Sequence, residues 1–131
     1  MGTKKETKMT SENAQTIIDR NNRIIEGSLI YSLHEKNMFS EEQFWSLYDS
    51  ICTIVNMSLY NDQLTEQISG CYQMILQEMI WHFDPNDESF INGLPKNYMA
   101  FIERLDMAVL AYYRKNPKIL KSAEDFCELQ R

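Results

Sequence analysis

Along most of this chain apolar residues return at steps of three, one and four, the spacing of helices that bury one face. From about Glu12 to Glu26 the positions Ala14, Ile17, Ile18, Ile24 and Ile25 predict a first helix, with Gly27 as its stop. Ser28 to Met38, which holds Leu29, Ile30, Tyr31 and Leu33, fits helix, strand or loop equally. The second helix has the clearest start: Ser40 as N-cap, Gln43 as reciprocal capping partner, and Phe39 placed to staple against Phe44. Phe44, Leu47, Tyr48, Ile51, Ile54 and Val55 then continue its core stripe. Asn61 or Asp62 caps a third helix whose apolar face runs from Leu64 through Ile68, Cys71, Ile75 and Met79 to Phe83, and Asp84-Pro85 ends it. A polar loop follows, and Pro95 opens a fourth helix with Phe101, Leu105, Val109 and Tyr112 facing inward, stopped by Asn116-Pro117. Ser122 is expected to cap a short terminal helix carrying Phe126 and Leu129.

The resulting expectation is an all-α fold, a compact bundle of about four main helices plus a short C-terminal helix. A content of four Gly and three Pro in 131 residues suits a few long helices better than many short strands. With 44% hydrophobic residues the chain fits one domain, expected over residues 12–131, behind a disordered N-terminal tail over residues 1–11 that lacks the apolar core of a signal peptide. No apolar run approaches the roughly 18 residues of a membrane span, so the expected address is the cytoplasm and no membrane partner is expected. Cys52, Cys71 and Cys127 form no Cys-x-x-Cys pair, which argues against a disulfide framework or a thiolate zinc site.

Charge changes the picture more than composition does. Between Lys36 and Lys96 there is no Lys or Arg, yet nine carboxylates: Glu41, Glu42, Asp49, Asp62, Glu66, Glu78, Asp84, Asp87 and Glu88. The formal charge of −6 divides into −9 over that stretch and +3 outside it. A field of this sign repels nucleic acid and attracts basic surfaces. A surface that serves solubility alone mixes signs. The acidic residues therefore read as a partner-binding face, with a solvated face as the plain alternative.

Enzyme signatures fail: the chain has no phosphate loop, dinucleotide turn, nucleophile elbow or zinc-binding His pair. His82 with Asp84 is the one pairing that suggests hydrolysis, against the plainer reading of a histidine bonding the last helical carbonyls. Asp84 to Glu88 suggests a calcium loop, but an EF-hand from Asp84 would need Gly at Ser89 and Glu at Pro95, so a turn with capping oxygens is preferred. No catalytic residue, metal site or cofactor is expected.

The order Gly27-Ser28-Leu29, Phe44-Trp45-Ser46-Leu47, Trp81-His82-Phe83-Asp84 with Asn86-Asp87, Ile91-Asn92-Gly93-Leu94 and Phe101-Ile102-Glu103-Arg104-Leu105 resembles a family of small helical immunity proteins of bacterial contact-dependent growth inhibition and polymorphic toxin systems. The resemblance spans about Asn22 to Tyr113 and implies a non-enzymatic protein that binds and neutralises the toxic C-terminal domain of a cognate toxin. Such families carry no fixed inhibitory motif, so contact residues must come from physics. A nuclease toxin presents a basic cleft, and the expected contacts are Glu41, Glu42, Asp49, Asp62, Glu66, Asp84, Asp87 and Glu88, with Trp45 or Trp81 as aromatic anchor. Trp45 is read as half exposed and Trp81 as closer to core. The alternative from another class is an acidic adaptor for a basic protein unrelated to toxins.

Overall fold

The computed structural model describes residues 9–87 and 90–131, and among them six helices and no strand. They are α1 (Ser11–Asn22), α2 (Leu29–Glu35), α3 (Glu41–Asn56), α4 (Asp62–Phe83), α5 (Tyr98–Tyr113) and α6 (Lys118–Phe126). The chain is all-α, with α2 as the element the apolar pattern left open: Ser28 caps it, and Leu29, Ile30, Ser32 and Leu33 are buried.

α1 and α5 each pack on both α3 and α4, which makes a four-helix bundle with α3 and α4 on its diagonal. α1 and α2 follow one another along α4. Gln67 donates to Asp19 at 3.0 Å near the start of α4, and His34 meets Glu78 at 2.7 Å near its end. Between them, a Cβ on Gly70 would stand 2.6 Å from the Asn22 side-chain oxygen, so the missing side chain is what lets α1 end against α4. Ile18, Ile30, Leu33, Ile54 and Ile68 in the centre are inaccessible to solvent.

Helix ends explain where the expected boundaries shift. α1 stops at Asn22, before Gly27, because Ile24 takes a left-handed φ of 55° and lets Ile25 N–H donate to Arg20 O at 2.9 Å. Ser58 after α3 and Lys115 after α5 close their helices in the same way, with Leu59 N–H reaching Ile54 O and Asn116 N–H reaching Ala111 O. Glycine is the usual residue at this position; four helices here, counting α2 with Asn37 at a φ of 51°, end on a left-handed residue other than glycine, so sparse glycine marks the ends poorly. α5 begins at Tyr98 behind Asn97, later than Pro95 suggests. α6 begins behind Pro117, so Ser122 lies inside it and bonds back to Lys118 O, while Phe126 is exposed and Leu129 is buried beyond its end. Thr10 caps α1 and Met9 packs against the core, so residues 9–11 belong to the folded unit; the rest of the expected tail lies outside the described residues.

Ser40 caps α3 as expected, accepting from Gln43 N–H at 3.2 Å, and the Phe39 and Phe44 rings meet at 6.2 Å. The reciprocal half of the capping box is absent, because Gln43 Oε1 instead accepts from the Ser32 hydroxyl at 2.6 Å and ties α2 to α3. Ser40→Ala removes the only side-chain acceptor at this end and is expected to cost about 0.5–2 kcal/mol in urea denaturation. A loss below that range would mean the Phe39 staple alone holds the end.

Candidate partner-binding surface

The fold separates the expected carboxylate face into parts. Glu41 and Glu42 are exposed in the first turn of α3. That turn lies beside the loop after α4, because Phe39 N–H donates to Asn92 O at 3.2 Å and Asn92 N–H to Asn37 O at 2.6 Å. The same loop carries Asp84 and Asp87, so Glu41, Glu42, Asp84 and Asp87 share one end of the bundle. Asp62 and Glu66 are exposed on the first turns of α4, about 33 and 27 Å from Asp84 along its axis at 1.5 Å per residue. They also sit on the diagonal partner of α3, so the two groups do not form one continuous face. Glu88 lies outside the described residues.

Asp49 already has a partner within the chain. Its two oxygens accept from both terminal nitrogens of Arg131 at 2.6 Å, and the Arg131 guanidinium lies over the Trp45 ring at 4.7 Å. The carboxylate bond raises the Arg131 pKa. The cation-free stretch of sequence thus acquires a counter-charge from the last residue of the chain. Glu78 is likewise buried against His34 on α2.

The two tryptophans exchange their expected roles. Trp45 is buried, edge-on to Phe44 at 5.1 Å and to Tyr48 at 5.3 Å. Trp81 keeps 37% of its surface and tilts against the His34 ring at 6.4 Å, which leaves it the one tryptophan placed to anchor a partner. Trp45 sits beside a residue that composition could not place in the core, Arg104. Its guanidinium is buried, donates to the Tyr48 hydroxyl at 2.9 Å and to Leu129 O at 2.6 Å, and lies 5.7 Å from the Trp45 ring centre.

Among the described residues His82 Nδ1 accepts the Ile91 N–H at 2.9 Å and pins the loop, while the Asp84 carboxylate accepts from Asn86 N–H in a local turn. Among the described residues no three His, Cys, Asp or Glu side chains gather where a metal could be held. Burial pushes the Cys52 and Cys71 thiols up to about 12, so neither is a nucleophile near neutral pH. Among the described residues no helix is long and apolar enough to cross a membrane.

What the charge pattern did not suggest is an apolar groove where α4 and α5 pack together. Leu76, Met79, Ile80 and Phe83 line it from α4, and Tyr98, Met99 and Ile102 from α5, with Asp84 at its end and a volume of about 660 Å³. Ile80, Phe83 and Met99 are 66%, 53% and 63% exposed, far more than a helix pair needs for packing. The sequence signal was present but faint, since Ile80 and Met99 fall outside the core stripes of their helices. Phe90 is exposed in the neighbouring hollow that shares Phe83 and Tyr98 with the groove.

No protein family, characterised protein or solved structure matches the chain.

Proposed function

We propose that the protein is a non-enzymatic binding module of the cytoplasm that neutralises the toxic C-terminal domain of a cognate bacterial toxin, a nuclease by preference, without metal or cofactor. The observation that carries this reading is one end of the bundle, where the start of α3 with exposed Glu41 and Glu42 is tied to the loop after α4, and where Asp84, Trp81, Phe83 and Phe90 are exposed on the last turn of α4 and in that loop. Carboxylates beside aromatic anchors suit a basic protein cleft, in which the charges speed encounter and the rings hold the complex. The resemblance of the chain's motifs to small helical immunity proteins supplies the class of partner. A basic protein unrelated to toxins would engage the same end, and its capture in place of toxin neutralisation would decide for the adaptor.

The test is stopped-flow association with the proposed toxin domain, to be sought in the gene immediately upstream, with toxin activity read in parallel. Between about 0.1 and 1 M salt, where the Debye length falls from about 10 to 3 Å, the association rate is expected to drop at least about tenfold. Charge reversal at Glu41 with Glu42 should slow association about three- to tenfold with the fold intact. Reversal at Asp62 with Glu66, at the far end of α4, should slow it less. Rates independent of salt, or equal effects from both pairs, would reject the acidic end as the inhibitory surface.

A further inference from the structure

We infer that the α4–α5 groove is a docking site for an amphipathic helix whose short apolar stripe is flanked by Lys or Arg. The inference rests on the reading of the protein as a protein-binding module, though not on the partner being a toxin. The seam between α4 and α5 can be followed residue by residue. At one end the Ser69 and Tyr113 hydroxyls meet, and next the Tyr72 hydroxyl donates to Asp106 Oδ1 at 2.8 Å. Beyond Asp106 the polar contacts stop and the groove opens between Leu76 and Ile80 on one wall and Met99 and Ile102 on the other. It closes where the Phe83 and Tyr98 rings meet at 5.1 Å, beside Asp84.

Asp84 and Asp106 thus bracket an apolar floor that spans Leu76 to Phe83, about 10 Å or two helical turns at 1.5 Å per residue. Two turns match the reach of apolar residues at i, i+3 or i+4 and i+7 on an incoming helix. No Lys or Arg lines the groove. Lys96 belongs to the neighbouring hollow that shares Phe83 and Tyr98. Cations flanking the incoming stripe would therefore meet a carboxylate at each end, with Lys96 a like charge outside the groove lining, whereas an acidic helix, or a second copy of this acidic chain, would meet repulsion. Met79 and Met99 supply flexible side chains that adapt to the residues presented.

The experiment uses the full chain and a labelled synthetic helical peptide about four turns long, with Leu at i, i+3 and i+7 and Lys at the flanking positions, followed by fluorescence anisotropy. A peptide of identical composition with its leucines spread around the helix is expected to bind about tenfold more weakly, as is one with Glu replacing Lys. Ile80→Glu with Met99→Glu, both at exposed positions, should lower affinity for the first peptide at least about tenfold. Asp84→Asn with Asp106→Asn should lower it about threefold and flatten its salt dependence. Equal binding of the spread peptide, full affinity in the Ile80 and Met99 variant, or no binding at all would overturn the inference. So would a dimer of the free chain that this variant abolishes, because a second copy would then be the occupant. If the peptide does not bind while the toxin domain is bound and neutralised, the groove assignment fails and the toxin reading stands; if the peptide binds as expected and no toxin is neutralised, the reverse holds.

Discussion

Arg104→Met is expected to lower stability by about 3–5 kcal/mol. The guanidinium is 4% exposed and its bonds run to neutral acceptors, the Tyr48 hydroxyl on α3 and the Leu129 carbonyl beyond α6. Hydrogen bonds from a charged donor contribute roughly 1.5–3 kcal/mol each, and a methionine leaves both acceptors buried without that donor. The Trp45 and Tyr48 rings, 5.7 and 5.1 Å from the guanidinium carbon, also lose a cation over their faces. Adding Tyr48→Phe to Arg104→Met removes one stranded hydroxyl and should recover about 1–2 kcal/mol relative to the sum of the single losses. Guanidinium chloride unfolding of the four proteins closes the cycle. A loss under about 1 kcal/mol for Arg104→Met, or strict additivity with Tyr48→Phe, would show that the bonds across α3, α5 and the C-terminal segment are not what holds them together.

Alkaline titration should destabilise the fold well before the peptide backbone is affected. Cys71 lies between α1 and α4 with its thiol directed at Ile18 O, 3.6 Å away, and burial, followed by the nearby Asp19 charge, pushes it up to about 12 from an ordinary 9.0. In the unfolded chain the thiol loses its proton near pH 9, while the folded protein holds it to about 12, so the folded state binds the extra proton between those values. The stabilisation is therefore complete below pH 9 and falls as pH rises, by about 1.4 kcal/mol per unit and about 4 kcal/mol in all from this one group. Cys52, on α3, is raised to about 12 by burial and adds to the same slope. Burial also raises Tyr48, which steepens the loss above pH 10. Urea unfolding at steps from pH 7 to about 11.5 should show the midpoint falling through this window. In Cys52→Ala with Cys71→Ala the decline should be shallower and begin nearer pH 10, where the tyrosine takes over. An unchanged slope in that variant would remove the thiols from the account.

Much of the fold is decided by interactions within one or two helical turns, and that part was legible. Ser40 and the Phe39–Phe44 staple place the start of α3, Asn61 places the start of α4, Asp84-Pro85 ends it, and the stripes of α3, α4 and α5 supply most of the core. The all-α class follows from those stripes. Ends closed by left-handed Ile24, Ser58 and Lys115 were not legible, because residues with side chains occupy a conformation that composition assigns to glycine, and packing of the flanking helices compels it. α2 was open for a related reason: seven residues are too few to show a helical period, and burial against α1, α3 and α4 decides its state.

The candidate site divides along the same line. That a long stretch carries carboxylates and no Lys or Arg is a property of the sequence, and it determines the sign of the field over that stretch. Which carboxylates present that field is a matter of helix order around the bundle. Diagonal placement sends Glu41 and Asp62 to different ends, and Arg131, 82 positions away, returns to neutralise Asp49 and cover Trp45. Arg104 was in phase with Phe101, Leu105 and Ala108, but its charge argued for the surface, and only Tyr48 and the Leu129 carbonyl arriving from distant segments make its burial tolerable. The groove follows likewise from the packing of α4 on α5, where Ile80 and Met99 meet outside either helix's own core face. Periodicity records how each helix is buried in its own bundle; a surface shared by two helices exists only once they are side by side.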